Sequence, residues 1–226
     1  MYRLSFLSSG TGAITRTVLE AIQQKALPAI TPVSIISDRK SASLNLAGEF
    51  QITGHMLAYH QYSGHNHFSE AILDIFQKEK IDVILSTFDR ILTGKLLKSY
   101  KYKMINVHPS LLPAFPGYGG AKKARLYGCR YIGATCHFIE EGTDTGVIIN
   151  QGIVPVDAKG DVRNLEQKLY RVRQRLVLEA LLAFCSNRIR VKNRIVTIDG
   201  ALYNHPFVNP HLPDIRINRF LSSYEK

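Results

Sequence analysis

The sequence predicts an α/β fold: a Rossmann-like, mainly parallel sheet continued by antiparallel strands. Three observations predict it. In the first half of the chain, short apolar runs alternate with one-faced helical periodicities, the pattern of βαβ units. A glycine turn joins the first of these runs to the first helical segment. In the second half, two strand-like runs are separated by nothing longer than a turn, which suits antiparallel pairing.

The elements follow in order. "YRLSFL" (2–7) has the apolar character of a buried strand. The turn "SSGTG" leads into "AITRTVLEAIQQ", where Ile14, Val18 and Ile22 share one helical face. "PVSIISD" (32–38) is a second strand, and "SEAILDIFQKEK" (69–80) a helix with Ile72, Ile75 and Phe76 on one side. "DVILST" (82–87) and "KMINVH" (103–108) are further strands. "GATCHFIE" (133–140) and "GVIINQGIVPV" (146–156) flank the turn "EGTDTG". Asp161 suits the N-cap of a long helix with Leu165, Leu169, Val172, Leu176, Ala180 and Phe184 on one stripe. "IRVKNRIVTIDGALY" (189–203) reads as a closing hairpin. The expected division is one domain over 1–204 and a polar, proline-containing tail over 205–226 that wraps the surface.

Composition narrows the classes of function. A chain of 226 residues, 45% hydrophobic and 21% charged, can bury a sizeable core and is not disordered. No apolar run approaches the roughly 18 residues of a membrane span, and the N-terminus lacks a signal peptide's cleavage pattern. Cys129, Cys136 and Cys185 are odd in number and far apart, against a disulfide framework or zinc site. A cytoplasmic protein without metal is expected. The net charge of +11 is spread along the chain, densest at "AKKARLYGCR" and "RNLEQKLYRVRQR". Without a nucleic-acid motif, it fits a solvated basic surface or small anionic substrates better than nucleic acid.

The segment "INVHPSLLPAFPG" (105–117) concentrates the chemistry. Pro109, Pro113 and Pro116 forbid a helix and make a rigid loop. Asn106 and His108 are two residues apart on the preceding strand, so their side chains share a face. That strand's carboxyl end is where ligands gather in parallel sheets. With Asp144 in the later turn, the set comprises an amide, an imidazole and a carboxylate able to raise the imidazole's pKa. Such parts suit oxyanion stabilisation in acyl transfer and removal of an amine's proton. Ser110 lacks a nucleophile's G-x-S-x-G context. The turn Gly10-Thr11-Gly12-Ala13 precedes a helix, where amides can cradle a phosphate. Asp38 ends the second strand as a ribose-binding acid would, but Thr15 breaks the dinucleotide fingerprint.

"INVHPSLLPAFPG" and the later "GATCHFIEEGTDTGVIINQGIVPV" resemble the folate-dependent formyltransferase family. The similarity is greatest to its branch acting on glycinamide ribonucleotide in purine synthesis. It covers roughly residues 2 to 200 in element order and is most specific over 85–156. The resemblance implies a formyltransferase fold and transfer of a formyl group from 10-formyltetrahydrofolate to a primary amine, without a covalent enzyme intermediate. It assigns Asn106, His108 and Asp144 as the catalytic set. Asn106 and a protonated His108 would hold the oxyanion, with Asp144 keeping His108 charged. It places the folate against Arg90, Ile91 and Leu92 of "STFDRIL" and Ile139, Glu140, Glu141 and Asp144 of "IEEGTD". It places the acceptor's phosphate on Gly10, Thr11, Gly12 and Ala13.

The chain departs from the family at several points. Asp89 replaces a commonly apolar residue, and Ala13 and Ile14 replace polar residues of the first turn. "YGGAKKA" stands in place of a histidine-rich stretch, and Arg173 is the nearest match to an acceptor-binding glutamate. An acceptor other than glycinamide ribonucleotide, such as an amino sugar or a specialised amine, is therefore the alternative. A non-catalytic nucleic-acid-binding protein is the remaining one, and it leaves the Asn/His/Asp set without a role.

Overall fold

Strand β1 (Tyr2–Ser8), buried continuously from Leu4 to Ser8, is the centre of a parallel sheet. The computed structural model describes residues 1–157 and 161–223. On one side β1 pairs in parallel with β2 (Ile30–Ser37), which pairs with β3 (Thr53–Met56). On the other side it pairs with β4 (Val83–Thr87), which pairs with β5 (Met104–His108). Helices α1 (Ala13–Gln23), α2 (Ala42–Glu49), α3 (His65–Lys78) and α4 (Lys95–Ser99) connect these strands. The apolar faces expected for α1 and α3 are the buried ones: Ile14, Val18, Ile72 and Phe76 all lie in the core. A cluster around Phe68, Ile72, Phe76, Leu92 and Met104 packs one face of this parallel unit, which comprises Met1–Asn106 and Phe138–Gly142.

The second unit, Val107–His137 with Thr143–Lys226, is antiparallel. Strand β6 (Tyr131–Phe138) pairs with β7 (Ile148–Pro155), from Tyr131 opposite Pro155 to His137 opposite Ile148. A short helix, α5 (Gly120–Leu126), precedes β6. The long helix α6 (Val162–Cys185) begins at Asp161, whose carboxylate accepts the Arg163 N–H at 3.0 Å as an N-cap should. Leu169, Leu176 and Ala180 of the expected stripe are buried. From Leu176 to Ala183, however, α6 is buried on every side, so a one-stripe description holds only for its first half. The hairpin appears as β8 (Ile189–Lys192) and β9 (Ile195–Ile198).

The tail differs from a surface wrap. Strand β10 (Val208–Asn209) extends the antiparallel sheet by pairing with β7, and α7 (Ile215–Ser222) buries Ile217 and Phe220. Glu179 of α6, fully buried, holds this segment: it accepts the Leu212 N–H at 3.2 Å and lies 2.9 Å from His211 Nδ1. No helix among the described residues is long and apolar enough to cross a membrane.

Two strands approach so closely that only glycine fits. A Cβ on Gly133 of β6 would collide with the Gly152 carbonyl of β7 and lie 2.5 Å from Leu111 Cδ2. Gly133→Ala should therefore destabilise the protein by about 1–3 kcal/mol, the usual cost of overpacking. Thermal unfolding read by circular dichroism checks this, and an unchanged midpoint would refute it.

Candidate active site

The first unit carries Asn106, the glycine turn, the folate segment "STFDRIL" and residues 139–142 of "IEEGTD", while Asp144 belongs to the second. Asn106 is half-buried on β5, and its Nδ2 donates to the Ser86 carbonyl of β4 at 3.1 Å. One amide N–H is thereby committed, and the other has no hydrogen-bond partner among the described residues. At the end of β1, Gly12 is the α1 N-cap with φ 73°, and a Cβ there would sit 2.9 Å from Ser43 Cα. Local packing therefore already requires Gly12. Gly10 has no heavy atom within 4 Å of its would-be Cβ, and Gly10, Thr11 and Ala13 are exposed. Ile14 points into the core at 4% exposure, so a polar residue there would be buried rather than offered to a ligand.

Arg90 does not project freely. Its Nε donates to Asp38 at 2.6 Å and its guanidinium lies 4.3 Å from the Tyr59 ring centroid. Arg39 shares Asp38, whose side chain is wholly buried. Burial works to raise Asp38, yet Arg39 and Arg90 together hold it below the ordinary carboxylate value. Both oxygens are occupied by these arginines, so Asp38 is not poised for a ribose. Leu92 is a core residue, and Ile139 packs against the same cluster, so the structure brings these two segments together. Ile91 is 45% exposed, Glu140 half-buried and Glu141 exposed.

The second unit holds His108, His137 and Asp144 together. His108 Nδ1 lies 3.2 Å from Asp144 Oδ2, and His108 Nε2 lies 3.1 Å from the Phe115 carbonyl. The neutral ring has one N–H and can satisfy only one of these acceptors; protonation supplies the second donor. Asp144 sits in the left-handed region at φ 55°, tolerable for aspartate in a turn, and accepts the Gly117 N–H at 2.7 Å. His137 Nε2 lies 3.5 Å from its other oxygen. Burial works to raise Asp144, but His137, the Gly117 N–H and His108 outweigh it and hold the carboxyl below its usual range.

His108 departs from the expectation of a resting imidazolium. Burial pushes its pKa below the ordinary histidine value, and the Phe115 carbonyl and Asp144 only partly offset that. At neutral pH the ring therefore rests neutral, ready to take one proton into a place already lined by two acceptors.

The proline loop is held by β6 and β7. Thr135 Oγ1 donates to the Ser110 carbonyl at 2.7 Å and accepts the Leu112 N–H at 3.1 Å; Gln151 Nε2 donates to the Leu112 carbonyl at 2.9 Å. Ser110, 1% exposed, donates its hydroxyl to the Ala114 carbonyl at 2.7 Å, so it offers no nucleophile. Behind His108, a Cβ on Gly120 would lie 3.0 Å from Nε2 and 2.8 Å from the Phe115 oxygen. His137 and Gly120 are the residues that sequence reasoning missed. His137 is visible only as part of the motif "GATCHFIE", and Gly120 gives no local signal. Among the described residues, no group of three or more His, Cys, Asp or Glu is arranged to hold a metal ion.

With this geometry in view, comparisons with known proteins are specific. The formyl transferase family model matches residues 2–181. The chain is 31% identical to phosphoribosylglycinamide formyltransferase of Mycobacterium tuberculosis, over 87% of this chain and 91% of that one. It is 27% identical to the enzyme of the same name from Bacillus subtilis, over 77% and 90%. The crystal structure of glycinamide ribonucleotide transformylase 1 from Symbiobacterium toebii superposes with a TM-score of 0.82 at 30% identity, covering 88% of this chain and 94% of that one. The expected α/β formyltransferase fold is thus the observed one, and the chain belongs to the formyl transferase family as a formyl-transferring enzyme.

Proposed function

We propose that the protein transfers the formyl group of 10-formyltetrahydrofolate to the amine of glycinamide ribonucleotide, in the cytoplasm. One observation carries the mechanism: a buried imidazole flanked by two acceptors, the Asp144 carboxylate and the Phe115 carbonyl, two residues beyond Asn106 on one strand. The amine attacks the formyl carbon, a new C–N bond forms, and the bond to the folate nitrogen breaks. The amine's proton goes to His108, the imidazolium is held by Asp144, and the proton is returned to the folate nitrogen as its bond to the formyl carbon breaks. To hold the oxyanion as well, His108 Nε2 exchanges its Phe115 contact for the formyl oxygen, joined by the uncommitted N–H of Asn106. No enzyme nucleophile takes part.

For the donor, the exposed Ile91 and the half-buried Ile139 offer apolar contact, while Arg90 and Leu92 contribute through backbone groups. Glu140, Glu141 and Asp144 follow in chain order on the other donor segment. The acceptor's phosphate is assigned to amides of Gly10, Thr11, Gly12 and Ala13 at the start of α1.

The test is direct. Purified protein is supplied with 10-formyltetrahydrofolate and glycinamide ribonucleotide, and the products are identified by mass spectrometry. Tetrahydrofolate and formylated ribonucleotide in equal amounts are expected. Formylation of another amine but not of the ribonucleotide would overturn the acceptor assignment. Arg90→Ala should weaken calorimetric binding of a tetrahydrofolate analogue by about tenfold, because loss of its charged contact frees the segment it anchors. Unchanged binding would make Arg90 a surface residue only.

A further inference from the structure

The tail beyond β9 reaches back to the loop that follows His108. It lies beyond the matched residues 2–181, so nothing in the family match assigns it a role. Two anchors fix it. On α6, the fully buried Glu179 carboxylate lies 2.9 Å from His211 Nδ1 and accepts the Leu212 N–H at 3.2 Å. Arg175 Nη1 ties that carboxylate to α7, donating to Glu179 at 3.3 Å and to Asn218 Oδ1 at 3.1 Å. Leu202 and His211 exchange backbone hydrogen bonds at 2.8 and 2.9 Å. A buried carboxylate is costly once a partner is removed, so losing one of these contacts should loosen the whole clasp.

The second anchor is β7. His205 Nδ1 accepts the N–H groups of Phe207 and Val208 at 3.3 and 3.2 Å, which shapes the turn into β10. Strand β10 sets Val208 opposite Gly152 and Asn209 opposite Gln151, and the Phe207 carbonyl accepts the Ile153 N–H at 2.9 Å. The backbone of Gln151 is therefore held between β6 and β10. Its side chain reaches the proline loop, where Nε2 donates to the Leu112 carbonyl at 2.9 Å and to Thr135 Oγ1 at 3.0 Å. Thr135 Oγ1 also donates to the Ser110 carbonyl and accepts the Leu112 N–H, so its one donor and two acceptor sites are all used. The Ser110 hydroxyl holds the Ala114 carbonyl, and the next carbonyl, that of Phe115, touches His108. Every link of this chain lies in the second unit.

We propose that the C-terminal tail is a positioning element for formyl transfer: docked on Glu179 and β7, it holds Gln151 and, through it, the loop that places the Phe115 carbonyl against His108. This rests on the formyl-transfer reading above and adds to it residues that act through the loop of His108.

Three variants separate positioning from plain stability. Gln151→Met keeps the side-chain length and removes both donors. His211→Ala opens the clasp on α6. Glu179→Gln keeps an acceptor for Leu212 and a partner for His211. Values of kcat and KM are read well below each unfolding temperature, beside hydrogen exchange of the segment 109–117 followed by mass spectrometry. Gln151→Met and His211→Ala should each lower kcat by about three- to thirtyfold and change KM by less than about twofold, because small displacements of a catalytic group act on the chemical step. Exchange of 109–117 should quicken in both, whereas Glu179→Gln should stay close to the parent in kcat and exchange. The double variant Gln151→Met/His211→Ala should lose little more than Gln151→Met alone, because the tail acts through Gln151. If His211→Ala lowers the unfolding temperature but keeps the parent's kcat and loop exchange, the tail is a structural cap and the proposal fails. Should His211→Ala not fold, parent-like kcat and loop exchange in Gln151→Met overturn it equally. A parent protein without formyl transfer would instead remove the reading on which this rests, while the exchange comparison would still test the link from tail to loop.

Discussion

His108→Ala and Asp144→Asn should each lower kcat by about a hundredfold or more while leaving the fold intact. The first removes the proton acceptor and an oxyanion donor together. The second removes the charge 3.2 Å from Nδ1 that compensates the imidazolium once it forms. Because the two act as one unit, the double variant should lose far less than the product of the single losses. Steady-state kinetics with circular dichroism as a folding control checks both statements. Near-normal rates in either single variant, or full multiplicativity in the double, would contradict the assigned roles.

Gly120→Ala should be the next most damaging change. The added methyl meets the Phe115 oxygen at 2.8 Å, His108 Nε2 at 3.0 Å and Ser110 Cβ at 3.0 Å, so the ring or its carbonyl partner must move. Displacing a catalytic group by about 1 Å can cost on the order of a hundredfold in rate. Loss of about ten- to a hundredfold in kcat, with a smaller change in donor affinity, is therefore expected. Unchanged kcat in a folded variant would show that His108 is not held from behind.

The parts of the fold that are legible in the sequence are those with strong local patterns. β1, β4 and β5 are apolar runs buried on both faces, and α1, α3 and the cap of α6 carry period and capping signals. Strand β3 is illegible because its Thr-Gly-His-Met stretch is mostly exposed and has no apolar alternation. Helices α4 and α5 span five and seven residues, too short for a periodicity to register. The tail's order comes from tertiary contacts with Glu179 and β7, which composition cannot announce. At the site, the pairing of Asn106 with His108 follows from strand alternation alone. Asp144 is a plain turn aspartate in the sequence, and tertiary structure closes the 35 residues that separate it from His108. The resting charge of His108 was not legible at all, since it depends on how deeply the ring is buried.

The central claim is that formyl transfer runs on a histidine that is neutral at rest and takes the amine's proton into a waiting pair of acceptors. Its most direct test is the titration of His108 in the free enzyme. Proton–nitrogen NMR of histidine-labelled protein, with His108→Ala assigning the resonance, follows the ring across the acid to neutral range. The predicted midpoint lies below the ordinary histidine value of about 6.5, with the ring neutral at pH 7. A midpoint well above that value, with His108 already charged at pH 7, would contradict it.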